Sequence, residues 1–107
     1  MTSSQYWFLL AKDLEASGDY ARAIASYYNA KSPDKIYAIA NSPDKVLKIL
    51  NSKPDEDLQK LVEGLQDNED MITNDGNDPK ILKTIDLVMN IAVGILDKRW
   101  GVAQEAS

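Results

Sequence analysis

The chain contains no cysteine and no histidine, and only two arginines, Arg22 and Arg99. Without cysteine there is no disulfide frame, no zinc finger and no thiolate nucleophile. Without histidine there is no His-ligated haem and no Ser-His-Asp triad. Glycine is also sparse, and the five present, at 18, 64, 76, 94 and 101, are too far apart to form a phosphate-cradling loop. Long apolar runs are missing as well. Tyr6 to Ala11 is too short for a signal-peptide core or a membrane span, and Leu87 to Leu96 is interrupted by Asn90 and flanked by Asp86 and Asp97. Among the carboxylates, Glu63 and Asp67 stand four apart on a candidate helix, which is a thin metal site without histidine. Asp13, Glu15 and the Asp55-Glu56-Asp57 run read as solvated faces or helix-cap residues. These absences exclude most catalytic chemistry. The expectation is a non-enzymatic binding module with no catalytic residue, metal or cofactor.

What is present fits one small globular domain: 107 residues, 44% hydrophobic and 27% charged, with a formal net charge of −5. A chain of this size buries roughly 65% of the surface its unfolded form exposes, enough for a single core. The opening Met1-Thr2-Ser3-Ser4-Gln5 has no early positive charge, so the sequence reads as cytoplasmic with no membrane partner. The negative balance argues against nucleic-acid binding by net charge alone.

Proline marks the helix starts. At the first helical position its missing N–H is no loss, and a Ser or Asp before it can accept from the N–H groups that follow. Ser32-Pro33-Asp34, Ser42-Pro43-Asp44 and Asp78-Pro79-Lys80 repeat this device, and Lys53-Pro54-Asp55 is a looser copy. The pattern predicts short helices over Pro33–Ala40 and Pro43–Leu50 and further helices over 54–66 and 79–100. Trp7, Leu10, Ala11 and Leu14 form one helical stripe, ending near Gly18, and Asp19 is placed to cap the next. Tyr20, Ala23, Ile24, Tyr27 and Ala30 repeat that stripe, so residues 4–31 form a helical hairpin. Leu58, Leu61, Val62 and Leu65 mark the fifth helix. The stretch 67–78, highly acidic, reads as a solvated loop; an EF-hand frame on Gly76 fails because Met71 and Leu82 would occupy ligand positions. With no two-residue alternation anywhere, the expectation is an all-α bundle of about six helices.

The elements Trp7-x2-Leu10-Ala11-x2-Leu14 and Gly18-Asp19-Tyr20-Ala21-Arg22-Ala23-Ile24-x2-Tyr27-x2-Ala30 together resemble one tetratricopeptide-type hairpin. The Gly-Asp-Tyr-x2-Ala-Ile-x2-Tyr part is also similar to the MIT domain, a three-helix bundle whose grooves receive short helical peptides. Either resemblance implies a protein-interaction role and covers about a quarter of the chain. Shifting the tetratricopeptide pattern by 34 residues puts Asn41, Asp44, Lys45, Ser52 and Asp57 where apolar or small residues belong, so one unit is expected. Pro43 breaks the segment that would be the long third helix of the MIT bundle. A single hairpin of this kind needs a neighbour, which helices three to six or a second chain must supply.

The last helix carries Ile81, Leu82, Ile85, Val88, Met89, Ala92, Val93, Leu96 and Trp100, a surface wider than one stripe. Val88, Ala92, Leu96 and Trp100 are therefore the expected contacts to a protein partner or to a second copy in a homo-oligomer. Tyr28, adjacent to a core Tyr27, and the Lys45-Lys48 face are secondary contacts; Tyr28 either packs beneath later helices or faces a partner. Residues 31–53 hold five lysines against two aspartates, whereas 54–78 hold nine acids against Lys60. The alternative reading is an accessory nucleic-acid-binding subunit using Lys31, Lys35, Lys45 and Lys48.

Overall fold

The first N–H groups of a helix have no partner inside it, and each helix start in this chain meets that need with a side-chain acceptor or a proline. A computed structural model describes residues 1–105, with side chains through Gly101. Six helices follow in order: α1 (Ser3–Ala16), α2 (Tyr20–Asn29), α3 (Pro33–Ile39), α4 (Pro43–Asn51), α5 (Asp55–Asp75) and α6 (Pro79–Glu105). There is no strand among the described residues, and the fold is all-α.

The caps differ in detail from the sequence expectation. Thr2 and Gln5 form a reciprocal capping box on α1, the Thr2 hydroxyl accepting from the Gln5 N–H at 3.1 Å and the Gln5 side chain accepting from the Thr2 N–H at 2.8 Å. Asp19 caps α2 through the Arg22 N–H, as its position predicts. Ser32 and Ser42 make no side-chain cap bond. Their ψ angles near 60° lie outside the extended region that aims a cap side chain at the helix, so the prolines alone define these two starts. Gly18 ends the first hairpin helix under two constraints. Its φ is +82°, and a Cβ there would lie 2.6 Å from Ile49 Cγ2 and 2.7 Å from Lys53 Cε.

α2 is the buried centre of the N-terminal half. Tyr20, Ala23, Ile24, Tyr27 and Ala30 are all in the core, as are Ala21 and Ser26 on other sides of the helix, because α1, α3 and α5 all pack against it. The buried Tyr27 hydroxyl donates to Glu15 Oε1 at 2.6 Å, tying α2 to α1. Burial, reinforced by Glu15, pushes the Tyr20 hydroxyl up to about 12. α1, in contrast, packs substantially only on α2. Ala11 alone of its residues is fully buried, Trp7, Leu10 and Leu14 are half-buried, and Tyr6 and Leu9 are exposed.

The expected loop over 67–78 is helix for most of its length. α5 runs unbroken to Asp75, leaving Gly76–Asp78 as the connection. The apolar stripe Leu58, Leu61, Leu65 continues through Asn68 to Ile72, all buried. A polar residue at the Asn68 core position hides the periodicity in the sequence. Its amide donates to the Ala21 carbonyl at 2.7 Å, so the group is satisfied where it is buried. The acids at Glu63, Asp67 and Asp70 occupy the exposed side. α6 packs on α3, α4 and α5 and is the spine of the C-terminal half, giving an elongated body of 54 × 26 × 22 Å. No helix of the described residues is long and apolar enough to cross a membrane.

Two glycines inside helices sit in opposite surroundings. A Cβ at Gly64 would meet Ala21 Cβ at 2.8 Å, whereas one at Gly94 would meet nothing within 4 Å. Gly64→Val is expected to destabilise the fold by about 2 kcal/mol through overpacking of α2 against α5. Gly94→Ala is expected to stabilise it by up to about 1 kcal/mol, the helix-propensity difference. Urea denaturation of the two variants checks the opposite signs.

Candidate interaction site

At 100° per residue, α6 divides into a core stripe and two flanks. Ile81, Thr84, Ile85, Val88, Ala92 and Ile95 form the stripe, all buried under neighbouring helices. Val88 and Ala92 are both 0% exposed, which corrects their assignment as partner contacts. The centre of a wide apolar sector is consumed by the protein's own core, and only its edges are left for others.

One edge is the line Leu82, Met89, Val93, Leu96 and Trp100, spaced so that all five fall within about 40° of one direction on the helix. Leu82, Met89 and Leu96 are half-buried, Val93 is 38% exposed and Trp100 54% exposed. Of the two partner contacts expected on this edge, Trp100 is exposed and Leu96 is half-buried against the core.

The other edge, Leu87 and Ile91, faces α3 and α4 across an open cleft. Two contiguous segments of about 710 Å³ each share Asn90 and Ile91, one reaching Tyr37 and Pro43, the other Leu47 and Asn51. Leu47 on α4, 41% exposed, completes an apolar floor. Lys80, Lys83 and Lys98 line the cleft from α6, with Asp86 as the acidic exception.

Both ends of the cleft are fastened. At the far end Arg99 spreads its guanidinium over three acceptors: Asp55 Oδ1 at 2.6 Å, the Lys53 carbonyl at 3.0 Å and the Asn51 carbonyl at 3.0 Å. It caps the last carbonyl of α4, takes the Lys53 carbonyl of the connection and grips the start of α5, a task for a planar five-donor group. At the near end Asp78 caps α6, accepting from the Lys80 and Ile81 N–H groups at 2.9 and 3.3 Å and from the Tyr37 hydroxyl at 2.9 Å. The Lys80 ammonium lies 5.4 Å from the Tyr37 ring centre. Partial burial pushes the Asp78 carboxyl upward, but the Tyr37 hydroxyl, the two backbone N–H groups and the Lys80 charge outweigh it and hold the group below its usual range.

The remaining sequence candidates scatter. Tyr28 is half-buried against the core and its hydroxyl donates to Asp75, so it joins α2 to the end of α5 instead of presenting a free face. Lys31 sits at the end of α2 with φ +56°, in the left-handed region that usually takes glycine. Lys35 and Lys45 share a small cleft of about 290 Å³ with Lys12, which sequence reasoning missed. The ammonium groups of Lys12 and Lys35 lie 6.0 and 5.8 Å from the Phe8 ring centre. Lys48 is exposed on α4, outside both clefts. Glu63 and Asp67 are exposed on α5, and among the described residues no group of three or more acids is placed to hold a metal ion.

Comparison of the chain with protein families, with curated proteins and with solved structures finds no match. Sequence reasoning named Leu96 and Trp100 of this edge together with Val88 and Ala92 of the core stripe, because all four are neighbours on one helix. It missed the cleft, whose walls are about 40 residues apart in the chain; only the exceptional width of the α6 apolar sector pointed to a second usable edge.

A carboxylate held below its ordinary value contributes stability that is full above the unfolded value, near pH 4, and is lost as pH falls through the folded one. Asp78→Ala is expected to cost about 1 kcal/mol at neutral pH, as loss of a helix cap does. The gap to wild type is expected to close as the pH drops below about 4, which denaturation midpoints measured across that range check.

Proposed function

We propose that the chain is a non-enzymatic helical interaction module, a small cytoplasmic subunit that engages a protein partner or a second copy of itself through α6. The observation that carries this reading is the apolar line Leu82, Met89, Val93, Leu96 and Trp100. A tryptophan 54% exposed at the end of such a line is the residue type most often found as an interface anchor. The hairpin's similarity to tetratricopeptide and MIT units supports the same class, since such units act by presenting helical surfaces to other chains. In sedimentation equilibrium the wild type is expected to self-associate at high concentration. Trp100→Ala is expected to weaken that association by at least about tenfold, with helix content by circular dichroism unchanged. A strictly monomeric wild type, indifferent to Trp100→Ala, would overturn the self-association reading.

One observation favours a second reading, an accessory nucleic-acid-binding subunit. Lys35 and Lys45 share a cleft with Lys12, and two of these cations, Lys12 and Lys35, lie over the half-exposed Phe8 ring, the pairing of cations and an aromatic face that single strands use. On this reading a labelled single-stranded oligonucleotide binds at low salt, and each of Lys35→Ala and Lys45→Ala lowers the salt slope by about one. Absence of binding at low salt removes it.

A further inference from the structure

The cleft between α6 and the α3–α4 pair is distinct from the Trp100 edge, and three of its properties point to an occupant. The first is a floor of apolar side chains, Leu47, Leu87 and Ile91, which the protein's own helices leave partly uncovered. The second is charge. Lys80, Lys83 and Lys98 line it over about 27 Å of helix, and the fourth cation, Arg99, is neutralised by Asp55. Only Asp86 opposes them.

The third is Gly94, which lines the cleft one turn beyond Asn90 and Ile91. Glycine weakens a helix interior, and Gly64 shows what justifies one here: the close approach of Ala21. No contact inside the fold asks for glycine at position 94, because a Cβ there meets only open space. Its absence of a side chain widens the cleft beside Ile91.

We infer that this cleft is the docking groove for an acidic peptide segment of a partner protein, one that carries apolar anchors about a helical turn apart. The anchors cover the Leu47–Leu87–Ile91 floor, the carboxylates pair with Lys80, Lys83 and Lys98, and the peptide lies closest at Gly94. A second copy of this chain is a poorer occupant. Its acidic helix α5 supplies the charge, but Met71 is its one exposed large apolar side chain, a single anchor for a floor made of the exposed Leu47 and the half-buried Leu87 and Ile91. The inference rests on the interaction-module reading but places the partner on the opposite flank of α6 from Trp100.

The test is fluorescence anisotropy with the 107-residue chain and a labelled synthetic peptide of about 18 residues, the length of the groove. Its leucines stand at i, i+4 and i+7 and its other exposed positions are glutamate. The glutamate peptide is expected to bind and to weaken as salt rises. Replacing its glutamates by lysines, or introducing Lys80→Glu, Lys83→Glu and Lys98→Glu together, is expected to weaken binding by at least about tenfold. Gly94→Leu, which has room in the free protein, is expected to abolish binding while leaving the circular dichroism spectrum and the thermal midpoint at wild-type values or above. Trp100→Ala is expected to leave peptide affinity within about twofold, so failure of the groove and failure of the self-association reading are distinguishable.

Equal binding of the lysine and glutamate peptides overturns the proposal, as does an unaffected Gly94→Leu or no binding up to about 1 mM peptide. If Gly94→Leu instead changes the oligomeric state, the groove belongs to a second copy. If it abolishes binding of a single-stranded oligonucleotide, the groove is a nucleic-acid channel. Either result also overturns the assignment.

Discussion

The fold turns on one close approach. At Gly64, α5 comes so near to α2 that a methyl group there would stand 2.8 Å from the Ala21 side chain. Four residues on, the Asn68 amide reaches the Ala21 carbonyl and fastens the same two helices with a buried hydrogen bond. This contact supplies the neighbour that a lone helical hairpin lacks. It covers one side of α2 with the chain's own later half, and it requires a long α5, since Asn68 and Ile72 must remain in register beyond the last leucine. The N-terminal helix is then left at the edge, covered by α2 on one side and open on the other.

Once α5 is set against α2, α6 lies over α3, α4 and α5, and its surface is divided in three. The middle goes to the core. The two edges are left in different chemical settings, one apolar and ending in Trp100, the other a cleft with lysines along it. Arg99 and Asp78 hold the cleft's ends, one by binding the last carbonyl of α4, the Lys53 carbonyl after it and the carboxylate at the start of α5, the other by capping α6 while taking the Tyr37 hydroxyl from α3. A site on packed helices with fastened ends keeps its shape in the absence of a ligand, which lowers the ordering cost of binding.

Electrostatics follows the same division. The acids crowd onto α5, most of them exposed, and apart from Lys60 the lysines lie elsewhere, on α1, α3, α4, the outer side of α6 and two of the connections. Like charges that would repel along one helix are tolerated because they are solvated and because burial of Leu58, Leu61, Leu65 and Ile72 outweighs them. The acidic stretch 67–78 therefore reads as a solvated loop in the sequence and is helix through Asp75 in the protein.

By itself the sequence determined the number of helices, their starts at Pro33, Pro43 and Pro79, the turn at Gly18 and the core stripe of α2. These are local matters: a proline fixes its own φ, a glycine permits its own positive φ, and apolar residues three and four apart share a face within one helix. It misjudged α5 because Asn68 is polar, and a polar residue belongs in a core only when a partner from elsewhere satisfies it. That partner, the Ala21 carbonyl, is 47 residues away in the chain. The fates of Val88, Ala92 and Tyr28 were decided in the same way. An apolar face or a tyrosine hydroxyl is equally suited to the protein's own interior and to a partner's, and only the packing of distant helices determines which of them reaches it first.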